Sequence, residues 1–242
     1  MNIVVVGGSK GLGLELVRHL FLCHHNVHTI SRTTGCDARS RRQLLEVRAK
    51  LAETWTHVDA VICCAARHGP IEKGLLASHD WIQSVADNLA ATLLPIQVFG
   101  RMLRLSNDPK VICFSGGGAT KGRPMFSAYA CAKTATVRLV ETIADEEPWL
   151  DINAVAPGAI GTTLTAEIEA AQGVSDDERK QARDAKIHRA DRLKKLIALL
   201  DWLLSPASNG VSGRLIAAQH DNWPNLAAHP DAGKLRRVEP TP

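Results

Sequence analysis

Residues 4–13 read VVVGGSKGLG: a β-branched run, glycines at positions 7, 8, 11 and 13, and then the start of an apolar stripe at helical spacing. A strand that ends on glycines and passes directly into a helix must turn tightly and let another group approach its backbone. Its free N–H groups and the helix dipole both point at that group and favour an anion such as a pyrophosphate. The same glycines elsewhere would say little. Placed between a strand and a helix, they mark the opening unit of a doubly wound sheet.

Working outward, Leu12, Leu16 and Leu20 with Val17 and Phe21 form the stripe of the first helix. Short β-branched runs then alternate with helical patterns: 2–6, 26–31, 59–66, 110–115, 151–156 and 214–218. That rhythm specifies an α/β fold of the Rossmann type, a single domain over 1–242 with a doubly wound parallel sheet and helices on both faces. CDARS at 36–40 is expected to be the stub of a further strand before a helix over 40–53, the helix usual before it being trimmed away. A long helix is expected over 78–105, bent before Pro95. The polar stretch 161–195 reads as a lid inserted over the sheet edge, and the tail 219–242, with LRR at 235–237, as irregular.

The bulk numbers narrow the function classes. The chain has 242 residues, 45% hydrophobic, with 29 basic and 25 acidic residues for a net charge of +4. No block of like charge is long enough for a nucleic-acid or membrane arm. The six cysteines lack metal-ligand spacing and are expected to be reduced core thiols in a cytoplasmic protein. LIALLDWLL at 196–204 is too short to span a bilayer, so no membrane partner is expected. The scattered histidines suggest no metal site.

An acidic residue after the second strand would hold ribose hydroxyls and repel a 2′-phosphate. Here stand Ser31 and Arg32, with Lys10 inside the glycine loop. Two cations and a hydroxyl favour NADP(H) over NAD(H), because a phosphate needs donors and positive charge. Asp37 either accepts from the adenine amino group or caps the next helix.

Tyr129, the only tyrosine, precedes Lys133 by one helical turn, so the two face the same way. A lysine cation at short range lowers a phenol's pKa by roughly 1–3 units from about 10, towards use as a general acid or base.

The glycine loop, Asn88, Tyr129, Lys133 and the AVAPGAIGT segment at 154–162 follow one another in an order that resembles the short-chain dehydrogenase/reductase family, in its compact branch, over nearly the whole chain. The resemblance implies that Tyr129 exchanges a proton with a carbonyl or secondary alcohol of a small molecule while NADP(H) exchanges hydride. It implies that Lys133 holds the nicotinamide ribose and lowers the tyrosine's pKa, and that Asn88 holds a water. The cofactor would lie against Gly7, Ser9, Lys10, Gly11, Leu12 and Gly13, pass Ala65 and Ala66, and meet Pro157, Gly158, Ile160 and Thr162. A homodimer or homotetramer is expected by the same resemblance.

Two departures stand out. The family's NNAG is replaced by Cys63, Cys64, Ala65 and Ala66, which removes side-chain braces and predicts a locally altered sheet. The family's serine, thirteen positions before the tyrosine, is Gly116, and Ser115 could serve only through a bulge. The N–H groups of Gly116 to Gly118, or the hydroxyls of Thr120 and Ser127, are alternatives. A competing function follows from the glycines, a non-catalytic NADP(H)-binding regulator, and another from the tyrosine and lysine themselves, a sugar-nucleotide-modifying relative.

Overall fold

Alternate residues of each central strand are apolar on both faces, so the strands are covered on both sides. The computed structural model describes residues 1–228. Six parallel strands form one sheet: β1 (Asn2–Val6), β2 (Asn26–Ile30), β3 (Ala60–Cys63), β4 (Lys110–Phe114), β5 (Asp151–Ala156) and β6 (Arg214–Ala217), in the order β2-β1-β3-β4-β5-β6. Val4, Val6, Val61, Cys63, Val111 and Cys113 pack under α2 (Arg41–Leu51), α3 (Asp80–Leu103) and α4 (Ser127–Glu146). Ile3, Val5, Ile62, Ile112 and Phe114 pack on the opposite face under α1 (Gly11–Leu22) and α7 (Arg189–Leu203). The chain leaves β1 on one face and β2 on the other, which opens a crevice at the carboxyl ends beside β1 and β3.

The α1 stripe buries Leu16, Val17 and Leu20, each worth roughly 1.5–3 kcal/mol of transfer free energy. Phe21, expected in the same stripe, is exposed, because position 21 turns away from the sheet. The stub strand expected at 36–40 does not form. Cys36 and Ala38 are buried in alternation, as in a strand, but the backbone bonds locally: Cys36 N–H to Ser31 C=O and Ser40 N–H to Asp37 C=O. Asp37 does not cap α2 either; Ser40 does, accepting from Gln43 N–H.

The sheet is not altered at the cysteines. Cys63 stays in register with Val6 and Cys113, and Cys64 N–H donates to Val6 C=O at 2.8 Å. Backbone pairing holds this strand end, with Cys63 Sγ donating to Thr92 C=O at 3.6 Å. All six thiols are free, but Cys23 and Cys131 are exposed and so are not core residues.

The stretch 161–195 is more than a lid. α5 (Thr163–Ala170) and α6 (Asp176–Ile187) pack through Ile168, Val174 and Ala182 on Phe126 and Tyr129, over the carboxyl ends of the strands and not at the sheet edge. Residues 189–195 already belong to α7, whose Leu196, Leu199 and Leu200 are core. Within the expected irregular tail, 223–228 is a short 3₁₀ helix with Leu226 buried; the LRR lies outside the described residues. Among the described residues, no helix is long and apolar enough to cross a membrane.

Candidate active site

The glycine loop closes on β3. Gly7 has φ +85°, and a Cβ there would stand 2.7 Å from Ala65 N; one on Gly13 would lie 2.3 Å from Gly7 O. Only bare glycine lets strand, turn and helix approach this closely. Ser9 and Leu12 are half-buried in the loop, and Lys10 is exposed at the N-terminal boundary of α1. Across the crevice come Pro157, Gly158 (φ +78°), buried Ile160 and Thr162, whose Cβ is 3.8 Å from the Cβ position of Gly11. Thr162 opens α5 in a capping box with Thr165. Gln219 braces this segment by donating to Pro157 C=O at 3.0 Å.

At the end of β2, the Ser31 hydroxyl is engaged with Thr33 Oγ1 and Thr34 N–H, while Arg32 is exposed. Neither the Lys10 ammonium nor the Arg32 guanidinium is held in a hydrogen bond or salt bridge among the described residues, which leaves both cations available to an anion. Asp37 is taken by Arg39, which donates from Nε and Nη2 at 2.7–3.2 Å and holds the carboxyl down at about 2.

Tyr129 and Lys133 both lie in the first two turns of α4, buried on its inner face. Lys133 Nζ donates to Phe114 C=O at 2.7 Å and sits 5.6 Å from the Tyr129 ring centroid. The expected lowering of the phenol's pKa is not realised in this geometry. Burial pushes Tyr129 up to about 12, against a lesser opposing pull from Arg123, and burial pushes Lys133 down to about 8. Desolvation outweighs the charge attraction for both groups.

Gly116 is the residue that faces the tyrosine hydroxyl: a Cβ built there would be 2.5 Å from Tyr129 Oη. The hydroxyl occupies the space a serine side chain would need. Ser115 makes no bulge; its N–H continues the ladder to Val155 C=O at 2.8 Å, and its Oγ is buried without a partner. Of the alternatives, the Ser127 hydroxyl accepts from Trp81 Nε1 at 2.8 Å, and Thr120 is exposed. The N–H groups of Gly116, Gly117 and Gly118 donate to no backbone carbonyl among the described residues.

Asn88 spends its amide on the loop after β3. It accepts from Arg67 N–H at 3.1 Å and donates to the carbonyls of Arg67 and Ser84 at 3.0 and 2.8 Å. That brace fixes His68, which sequence reasoning missed. His68 is buried, with its ring edge-on to Tyr129 at 4.9 Å and to Phe126 at 5.3 Å, and Nδ1 lies 3.0 Å from Glu167 Oε2. Burial, with Arg123 nearby, pushes it down to about 4, so it is neutral at pH 7. The only local signal was its place two residues beyond Ala66, at a strand end facing the crevice. Arg123, also missed, stacks on Phe126 at 4.0 Å and clasps Glu178 of α6 at 2.7 and 2.9 Å. Among the described residues, no cluster of three or more His, Cys, Asp or Glu side chains is placed to hold a metal ion.

A family model described as enoyl-(acyl carrier protein) reductase matches residues 24–219. The chain belongs to the short-chain dehydrogenase/reductase family. It is thus an oxidoreductase of a family that binds nicotinamide cofactors. A tropinone reductase homolog of Arabidopsis thaliana is 27% identical, covering 89% of this chain and 88% of its own. The short-chain reductase protein NovJ of Streptomyces niveus is 23% identical over 77% of this chain and 72% of its own. A short chain dehydrogenase of Escherichia coli, solved in complex with NADPH, shares the fold with a TM-score of 0.76 at 20% identity, covering 90% of this chain and 97% of that one.

Proposed function

We propose that this short-chain dehydrogenase/reductase uses NADP(H) to interconvert a carbonyl and a secondary alcohol on a small molecule, with Tyr129 as the proton-exchanging residue. The observation that carries the proposal is the pairing of Tyr129 and Lys133 on one face of α4, beside an intact glycine cradle. The cradle fits a dinucleotide because Gly7 and Gly13 keep the loop open to close approach, and Lys10 and Arg32 carry unspent charge for a 2′-phosphate. Ser9, Gly11 and Leu12 would line the pyrophosphate turn, Ala65 and Ala66 the passage beneath it, and Pro157, Gly158, Ile160 and Thr162 the far wall. When bound, the cofactor supplies or accepts hydride.

The residues of the chain manage the proton. A phenol held up at about 12 is fully protonated near neutral pH, which suits donation to a carbonyl oxygen as that oxygen gains charge. Lys133, anchored on Phe114 C=O, would orient a ribose hydroxyl and favour the phenolate when charged. Asn88 positions the loop that carries His68 and completes the wall. α5 and α6 exclude water over Tyr129.

A second reading, a cofactor-binding regulator, draws on the tyrosine hydroxyl standing against Gly116 with no serine beside it. One experiment separates the two. Wild type and Tyr129→Phe are titrated with NADPH and NADH by tryptophan fluorescence and assayed on a ketone panel. Catalysis predicts tighter NADPH than NADH binding in both proteins and at least a hundredfold loss of turnover in the variant, on the order of a general-acid contribution. Unchanged turnover in Tyr129→Phe sinks the assignment, and cofactor binding with no turnover in wild type favours the regulator.

A further inference from the structure

A cavity of about 420 Å³ opens against His68, and its polar lining comes from Arg67, His68, Glu72, Ser78, Asp80 and Glu167. Its inner wall is His68, the same ring that touches Tyr129 at 4.9 Å. Resting on the reading of Tyr129 as the reacting side chain, we infer that the substrate is a carbonyl compound carrying a protonated amine, held by Glu167, Glu72 and the His68 ring.

The argument is one of charge and of donors. Arg67, the cation in the lining, is ion-paired: Nη2 donates to Asp80 at 2.8 and 2.9 Å, and Nε, which makes no hydrogen bond, lies 3.4 Å from Asp87 Oδ2. Arg123 is clasped by Glu178. Of the three carboxylates in the lining, Glu72 has no salt-bridge partner among the described residues, and the partner of Glu167 is the neutral His68. Glu72 accepts Ser78 N–H at 2.6 Å, and Glu167 faces His68 Nδ1. The field of Lys10 reaches Glu167 from the glycine loop, where a pyrophosphate would compete for that charge.

A carboxylate on Nδ1 of a neutral imidazole fixes the proton there, so Nε2 is left as an acceptor. It has no hydrogen-bond partner among the described residues. The lining thus holds three carboxylates against one guanidinium, with Nε2 as a further acceptor beside the Ser78 hydroxyl, which can donate or accept. An anionic substrate would meet uncompensated like charge, and an apolar one would strip water from Glu72, Glu167 and His68 with nothing in return. An ammonium group offers donors to all three and the opposite charge to the two carboxylates.

The test measures binding to NADP⁺-saturated protein by calorimetry, using three cyclic ketones that differ in one group: an N-methylated piperidone, a tetrahydropyranone and an oxocyclohexanecarboxylate. The cation is expected to bind at least about tenfold tighter than the anion, with the neutral ketone between, tenfold being the effect of 1.4 kcal/mol. Glu167→Gln, and independently Glu72→Gln, should each shrink that preference several-fold, Glu72→Gln without changing NADPH affinity. Equal or absent binding of the three ketones, tighter binding of the anion, or a preference unmoved in both variants overturns the inference. Tyr129→Phe should keep the preference. A wild type that shows the preference but transfers no hydride would leave this inference standing while the catalytic reading falls.

Discussion

His68 is a titratable group enclosed by aromatic rings, with Glu167, Glu178, Arg123 and Lys133 around it. Its folded pKa of about 4 lies below the ordinary 6.5, so the unfolded chain takes up the proton first as pH falls. The stability it contributes is fully present above pH 6.5 and is lost as pH falls through 4; the gap corresponds to roughly 3 kcal/mol. Glu167, whose carboxyl burial raises, works in the opposite sense and offsets part of the loss. Urea unfolding of wild type and His68→Gln at pH 7 and pH 4.5 should show the wild type losing about 2 kcal/mol more than the variant. Parallel losses would mean that His68 is not held neutral by its surroundings. At this scale Tyr129 and Lys133 were legible because four residues of one helix bring them together. His68 was not, since its partners Phe126, Tyr129 and Glu167 come from distant parts of the chain.

Elements were legible where their pattern is local. β1 to β6 lie where β-branched runs end on glycine, serine or alanine, within three residues of the expected bounds. The false strand at 36–40 shows the limit: alternation of Cys36 and Ala38 records burial, while a strand also needs a partner edge, and the chain instead folds back on Ser31. The charged helix α6 is tied to the rest of the chain by an ion pair. α6 contributes the carboxylate and the segment before α4 the guanidinium: Glu178 meets Arg123 at 2.7 and 2.9 Å. Both side chains are largely buried, and hydrogen bonds between charged groups contribute about 1.5–3 kcal/mol. Glu178→Ala, or Arg123→Met, which keeps the acidic first turn of α6, should raise hydrogen exchange of amides in 163–187 by roughly ten- to a hundredfold. Exchange in β4 should be unmoved. Unchanged exchange in both variants would show that apolar packing alone holds the lid.

The molecule as a whole separates chemistry from fastening. The glycine loop, Tyr129 and the cavity lie at the carboxyl ends of the strands; the amino ends carry a polar clamp built on Lys110, a cation at the mouth of an otherwise apolar strand. Lys110 is 2% exposed, and its Nζ reaches Asp151 Oδ2 at 2.7 Å, Asp108 Oδ1 at 2.9 Å and Asn209 Oδ1 at 2.6 Å. It thereby joins the starts of β4 and β5 to the segment before β6. Asp59 does the same for β1 and β3, accepting from Asn2 N–H and the Ser106 hydroxyl, both at 2.7 Å. Removing one partner of such a buried pair strands the other, at a cost of about 3–5 kcal/mol. Lys110→Met fills the same space without the charge and leaves Asp151 with Gly210 N–H as its hydrogen-bond donor. The melting temperature should fall by roughly 10 °C, given about 2–4 °C per kcal/mol for a chain of this size. NADPH affinity, measured well below the transition, should stay within about twofold, since the clamp lies a full strand length from the cradle. An unchanged melting temperature would show that the clamp is dispensable, and a cofactor affinity that fell with stability would show that the two ends of the sheet are coupled.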